Sequence, residues 1–462
     1  MIVRENLEDL KNSLSIKPEK LGLKHTINKK APLLPFSTRG TERAKFVKGF
    51  QGVLGEFTRL VSGNKLKMEV NLEELIGEIS KSVDVSKQDK SQFEQILRTF
   101  LQDSDNTIKI FHLHLFQYLP LSDKADKKGE QDIARFLLDV LLGEKETVEE
   151  IFGKSDSTDL MSRLVLKQLN HLESDEKERR PYINQIPFIS KLFKEDFQFL
   201  AEHKDYFRTH YHLLLSYYYF LYITQLTLKL SQVGKANFSE NNEVYFTLDW
   251  ESTSKNRKGY THGYQMIKDT GRHLLLHINC LEHLNFLMGV EKAGGYPELK
   301  ETYQQLSDED KKVFLEMLCD WVMEYRRHLG LGAYEGNLEL EYDTLVQSLF
   351  RSIEEAYEKD TMQGPRHRYS LSIEEVGKKY FLKTRGSLGY MLNISQDMLL
   401  LLTALSLKKE RKPLKQVFID LEARGLFFDR YSKEEIVQLF DKLNLIDKKS
   451  DSGDAQYVKP IL

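Results

Sequence analysis

Ten stretches of this chain repeat apolar residues every three or four positions, and most of its prolines fall between them. The stretches are 40–62, 71–82, 90–103, 130–142, 157–172, 190–200, 205–231, 263–289, 307–328 and 341–358. That period places apolar side chains on one face of a helix. Pro32, Pro35, Pro120, Pro181, Pro187, Pro297 and Pro365 punctuate the pattern, as residues that end helices should. A mainly α fold is therefore expected: a multi-helix scaffold. With 462 residues the chain is too long for one ordinary core. No repeat recurs at a fixed period, which argues against a solenoid.

The segment from about Pro365 onward carries a different pattern. Tyr380–Thr384 and Leu388–Ile394 flank Arg385-Gly386 as a hairpin. Ser395 then caps a helix bearing Leu399, Leu402 and Leu405, Pro413 opens a second helix, and Gly425 suits its end. Ser432 with Glu435 reads as a capping box for a third helix that buries Ile436, Leu439, Phe440 and Leu443. A polar turn over 447–454 and a strand at 455–458 follow. Three short helices and a hairpin predict a winged-helix-like α/β module. The expected division is 1–62, a basic segment and first helix; 63–180, helical; 181–364, a central helical domain with a short strand near 244–248; and 365–462, the winged-helix-like module.

Charge decides which partners to consider. Lys and Arg number 67 against 70 Asp and Glu, so bulk attraction to nucleic acid is excluded and any basic footprint is local. One footprint runs from Lys17 to Lys48 and includes Lys29, Lys30, Arg39 and Arg43, opposed only by Glu19 and Glu42. The apolar run Leu33–Phe36 inside it suggests a docking arm. A second footprint lies in the C-terminal module, where Lys433, Lys442, Lys448, Lys449 and Lys459 are the candidates for DNA phosphate contact. The outer face of the third helix has no arginine to grip a guanine edge, so sequence-specific readout is not expected from it.

No stretch matches the phosphate loop Gly-x-x-x-x-Gly-Lys-Ser/Thr, so an ATPase is not expected. His273, His277 and Cys280 share a helix face at ligand spacing, but their leucine-rich setting favours packing over zinc, and no metal or cofactor is expected. His112 and His114, two apart, are a weaker pair. Asp249, Glu251 and Lys255 follow a predicted strand and are the alternative worth carrying: a metal-dependent nuclease. Gly49, Gly52 and Gly55 at three-residue spacing point to close approach of another element. Two cysteines fit a reducing compartment, and Met1–Leu14 lacks a continuous apolar run, so a cytoplasmic location is expected. Thr209–Leu228 has no formal charge, yet it holds five tyrosines and three threonines; a buried core helix is expected there, not a membrane span.

The runs Arg424–Lys433 and Asn444–Pro460 resemble the DptG family, the G subunits of bacterial phosphorothioation-dependent restriction systems. Leu34–Gly40 and Val244–Glu251 are similar to the same family, and the sharpest likeness covers the last 40 or so residues. The resemblance implies a non-catalytic subunit in antiviral, foreign-DNA defence. Its partners would be DptF-like and DptH-like subunits, to which ATPase or helicase-like activity is assigned. It supplies no catalytic residues.

Overall fold

The computed structural model describes residues 4–17, 19–103, 108–143, 149–153, 159–175, 182–289, 293–336, 338–448 and 456–462. The fold is mainly helical, with a few short strands. The chain forms two compact units, one of residues 1–40, 181–189 and 220–460, the other of 41–180, 190–219 and 461–462. The helix Lys204–Leu230 gives its residues up to Tyr219 to the second unit and those from Phe220 to the first. It is buried along most of its length: Tyr211, Tyr217, Tyr218, Tyr219 and Tyr222 are each at most 1% exposed. Its hydroxyls are used, with Tyr218 donating to Asp196 at 2.6 Å and Tyr222 to Asn184 at 3.1 Å. Among the described residues no helix is long and apolar enough to cross a membrane.

In the second unit the helix Gln51–Val61 packs on the helix Lys124–Leu137. Glycine permits this approach. A Cβ on Gly52 would lie 2.1 Å from the Glu130 carboxylate, and one on Gly55 would lie 2.4 Å from the Leu119 carbonyl oxygen. Glu130 is fully buried and accepts from the Ser122 N–H and hydroxyl at 2.7 and 2.6 Å. Arg59, on the same helix as the glycines, donates to the carbonyls of Gln117 and Leu119 at 2.9 and 2.8 Å. Because backbone opposes Gly55, Gly55→Ala should destabilise this unit by about 1–3 kcal/mol. Urea denaturation checks this, and a loss under about 0.5 kcal/mol would show that the contact yields. The helices Leu72–Ser82, Lys90–Leu101 and Leu160–Gln168 form a neighbouring core around Leu75, Ile79, Leu97 and Val165.

In the first unit the helix Leu274–Met288 is buried on nearly all sides. The helices Glu5–Ser13, Asp308–His328, Tyr342–Glu358 and Asp360–Tyr380 pack around its neighbourhood. The strand Tyr390–Ile394 pairs antiparallel with Leu382–Thr384, as the hairpin expectation required, and parallel with Thr247–Leu248.

Several expectations need correction. The segment 263–289 is two helices, Tyr264–Gly271 and Leu274–Met288, broken at Arg272–His273. Only Gln51–Val61 of the 40–62 segment is α-helical, because Phe46 and Gly49 take positive φ of 53° and 69° just before it. Pro365 does not separate elements: it lies within Asp360–Tyr380, near its start. Leu33–Phe36 is buried inside the chain, so its apolar surface is already spent and does not form a free docking arm.

Candidate nucleic-acid interface

The C-terminal module is assembled by local signals. Ser395 caps Gln396–Leu407, accepting from the Met398 N–H at 3.2 Å, and this helix is buried almost throughout. The strand Lys412–Pro413 leads into Leu414–Ala423. Gly425 ends that helix at φ 83°, a conformation that favours glycine, and the tip of the Leu221 side chain packs where a Cβ would stand. Arg430–Lys442, Ile446–Lys448 and Gln456–Val458 follow. Gln456–Val458 is the central strand of an antiparallel sheet, pairing Pro413 with Tyr457 on one side and Asp447 with Tyr457 on the other. Helix, strand, two helices, then two strands is winged-helix connectivity. The strand Lys412–Pro413 was not foreseen, being two residues long with a proline.

The third helix starts earlier than the sequence suggested. Asp429 caps it, accepting from the Ser432 N–H at 3.1 Å, and Ser432 is fully buried inside the first turn. Its hydroxyl donates to Glu251 at 2.9 Å. Arg257 completes the cluster. Its Nε and Nη2 donate to the two oxygens of Asp429 at 2.5 and 2.8 Å, and Nη2 donates to Glu251 at 3.0 Å. Burial pushes the Asp429 carboxyl up, but the Arg257 guanidinium and the Ser432 bonds outweigh it and hold the group below its ordinary value. Four side chains thus clamp the start of the third helix to the loop after Thr247–Leu248. Leu443, expected in the core, is 40% exposed, because the helix ends at Lys442.

This cluster decides what the nuclease trio can do. Glu251 also accepts from the Leu248 N–H at 2.8 Å, so its carboxylate is committed to protein donors. Asp249 accepts from Asn393, and Lys383 donates to its backbone oxygen at 2.8 Å. Lys255 is exposed. Among the described residues, no three or more His, Cys, Asp or Glu side chains are grouped to hold a metal ion. His277 is buried, bonded to the Tyr296 hydroxyl at 3.1 Å and stacked on Phe350. Burial lowers it to about 3 and pushes the Cys280 thiol up to about 12. His273 faces Glu354 at 3.4 Å. His112 accepts from the His114 N–H, and the His114 ring bonds the Phe152 carbonyl at 2.7 Å.

The basic candidates fare differently. Lys433 donates to Glu422 at 2.9 Å and lies 5.1 Å from the Phe418 ring centroid. Lys442, in the last turn, and Lys459, after the last strand, are exposed. Lys448 closes its strand, and Lys449 lies outside the described residues. In the N-terminal segment the backbone matters more than the side chains. The N–H groups of Lys29, Lys30 and Ala31 all donate to the buried Glu282 carboxylate, at 2.9, 2.6 and 2.9 Å. Arg39 is exposed in the same unit, whereas Arg43 is half-buried in the other.

Sequence reasoning missed Arg257 and Asp429. Asp429 as an N-cap residue was the available signal. Arg257 sits in a polar stretch that reads only as loop. Compared with known protein families and with curated proteins, the sequence finds no match in either.

Proposed function

We propose that this chain is a non-catalytic subunit of a phosphorothioation-dependent restriction complex in the cytoplasm, joining DNA to DptF-like and DptH-like partners. The observation that carries the reading is the complete winged-helix connectivity of residues 396–458, the region where the DptG resemblance is densest. A helical body and a small winged-helix module suit a protein that brings other molecules together. The commitment of Glu251 to Arg257 and Ser432 gives the nuclease alternative nothing further to rest on.

The DNA arm is weak and backbone-directed in this account. At the start of the third helix Asp429 and Ser432 are bound to the chain's own loop, and the exposed Arg430, the one arginine of that helix, is paired with Glu434 at 2.8 Å. Lys442 and Lys459 remain as exposed phosphate contacts. Binding of unmodified duplex should therefore show no sequence preference and a shallow salt slope. Lys442→Glu combined with Lys459→Glu should lower affinity and flatten that slope by about 2. Anisotropy titrations at several salt concentrations measure both quantities. An unchanged affinity in the double variant would move the DNA contact away from this module.

A further inference from the structure

Between the helices Tyr264–Gly271 and Asp360–Tyr380, both in the first unit, lies a cleft of about 230 Å³. Its floor is apolar: Ile267 and Ile373 are buried and Leu371 is half-buried. Its rim is basic. Lys268 and Arg272 stand one turn apart on the first helix, His367 lines the cleft from the second, and all three are exposed. Arg366, beside His367, donates from Nε to the Arg272 carbonyl at 2.8 Å, which holds its guanidinium next to the rim. Glu374 is the carboxylate of the lining, and its two oxygens are taken by Lys378 at 2.5 Å and by the Tyr264 hydroxyl at 3.0 Å. Lys268 acts on it only through space, beyond ion-pair distance. Asp269 meets Arg272 at 3.5 Å with both side chains more than half exposed, a pairing that adds little and yields to a stronger anion. Among the described residues no carboxylate pairs with Lys268, Arg366 or His367. Two full cations therefore stand without a counter-charge at a concave site.

We infer that this cleft binds a phosphate monoester, with the phosphate held by Lys268, Arg272 and Arg366 and the group that carries it resting on Ile267 and Leu371. A monoester carries close to two negative charges at neutral pH, which matches the two uncompensated cations. Arginine grips phosphate oxygens with two parallel N–H donors, and lysine adds a mobile point charge. The cleft is smaller than the pockets that enclose drug-sized ligands, so the carrier is small or only its end enters. A phosphodiester within a duplex has one charge and cannot leave its backbone to reach the floor. The inference stands apart from the DNA-joining function proposed above, because a small phosphorylated compound satisfies the site as well as a phosphorylated DNA end does.

The test titrates the full chain calorimetrically with inorganic phosphate, with glycerol 3-phosphate, and with a short DNA strand bearing either a 5′-phosphate or a 5′-hydroxyl. Inorganic phosphate should saturate a single site. Lys268→Gln combined with Arg272→Gln should weaken it by about tenfold or more, since two charge-assisted bonds are lost, and should leave the melting temperature unchanged, since both side chains are exposed. Arg366→Gln should weaken it too, whereas Lys379→Gln, an exposed lysine outside the lining, should not. Tight binding of glycerol 3-phosphate with no gain from the 5′-phosphate supports the site and assigns it a small molecule. A preference for the 5′-phosphate that the paired variant abolishes supports the site and assigns it a DNA end. Binding of inorganic phosphate but of neither carrier would overturn the monoester assignment. No saturable binding up to about 10 mM, undiminished binding in the paired variant, or an equal loss in Lys379→Gln would overturn the site itself.

Discussion

Lowering the pH from 7.5 to 5 should cost the first unit about 6 kcal/mol of stability. Three histidines of this unit, His277 and His283 buried and His25 half-buried, are held toward the neutral form. Burial lowers His25 to about 4 and His277 to about 3, and drives His283 well below its ordinary value, with His25 as a further cause. Their bonds agree. The Trp321 indole N–H points to His283 Nδ1 at 3.4 Å, and His25 Nε2 bonds the Tyr325 hydroxyl at 2.8 Å. In the unfolded chain each would titrate near 6.5. As pH falls below that value the unfolded state takes up protons that the folded state refuses. Stability is therefore complete above pH 6.5 and lost as pH falls toward the lowered values, at about 1.4 kcal/mol per pH unit for each group. By pH 5 that is about 2 kcal/mol for each, and the sum is comparable with the whole stability of an ordinary domain. Urea midpoints at pH 7.5, 6 and 5 measure it. His277→Leu should remove about a third of the slope. A midpoint that stays level down to pH 5 would mean these rings are not held neutral.

Arg257→Ala should lose about 3–5 kcal/mol, the cost of breaking a buried ion pair from one side. The Glu251 side chain is 2% exposed and that of Asp429 10%, so neither carboxylate can turn to water. Arg257→Lys should recover little, since an ammonium cannot reproduce the two-bond grip on Asp429. The variant should also loosen the third helix, and hydrogen exchange over Arg430–Phe440 should rise before the rest of the unit opens. A loss below about 1 kcal/mol would show that the cluster is not a clamp.

Helices such as Leu72–Ser82, Asp308–His328 and Tyr342–Glu358 lay within a residue or two of their expected limits, because each has one apolar face and clear ends. Leu274–Met288 is buried on nearly all sides, so its apolar residues run right round the helix and could not mark the break at Arg272–His273. The helix Asp360–Tyr380 was hidden by Pro365 and by a polar surface. At the site, the basic residues were legible as charge, but their pairing was not. Lys433 is tied to Glu422 and Arg257 to Asp429 across 11 and 172 positions of sequence, and no local pattern records such bonds. The Glu282 carboxylate, which gathers the N–H groups of 29–31 from about 250 residues away, was invisible for the same reason.

Co-purification tests the central claim most directly. The tagged full chain is co-expressed with the proposed DptF-like and DptH-like partners and recovered with and without nuclease treatment. The account predicts that both partners stay bound after DNA is removed, that DNA is retained only in the untreated complex, and that the chain alone leaves a plasmid intact in Mg²⁺. Recovery of the chain without partners under both conditions, or Mg²⁺-dependent nicking by the chain alone, would contradict it.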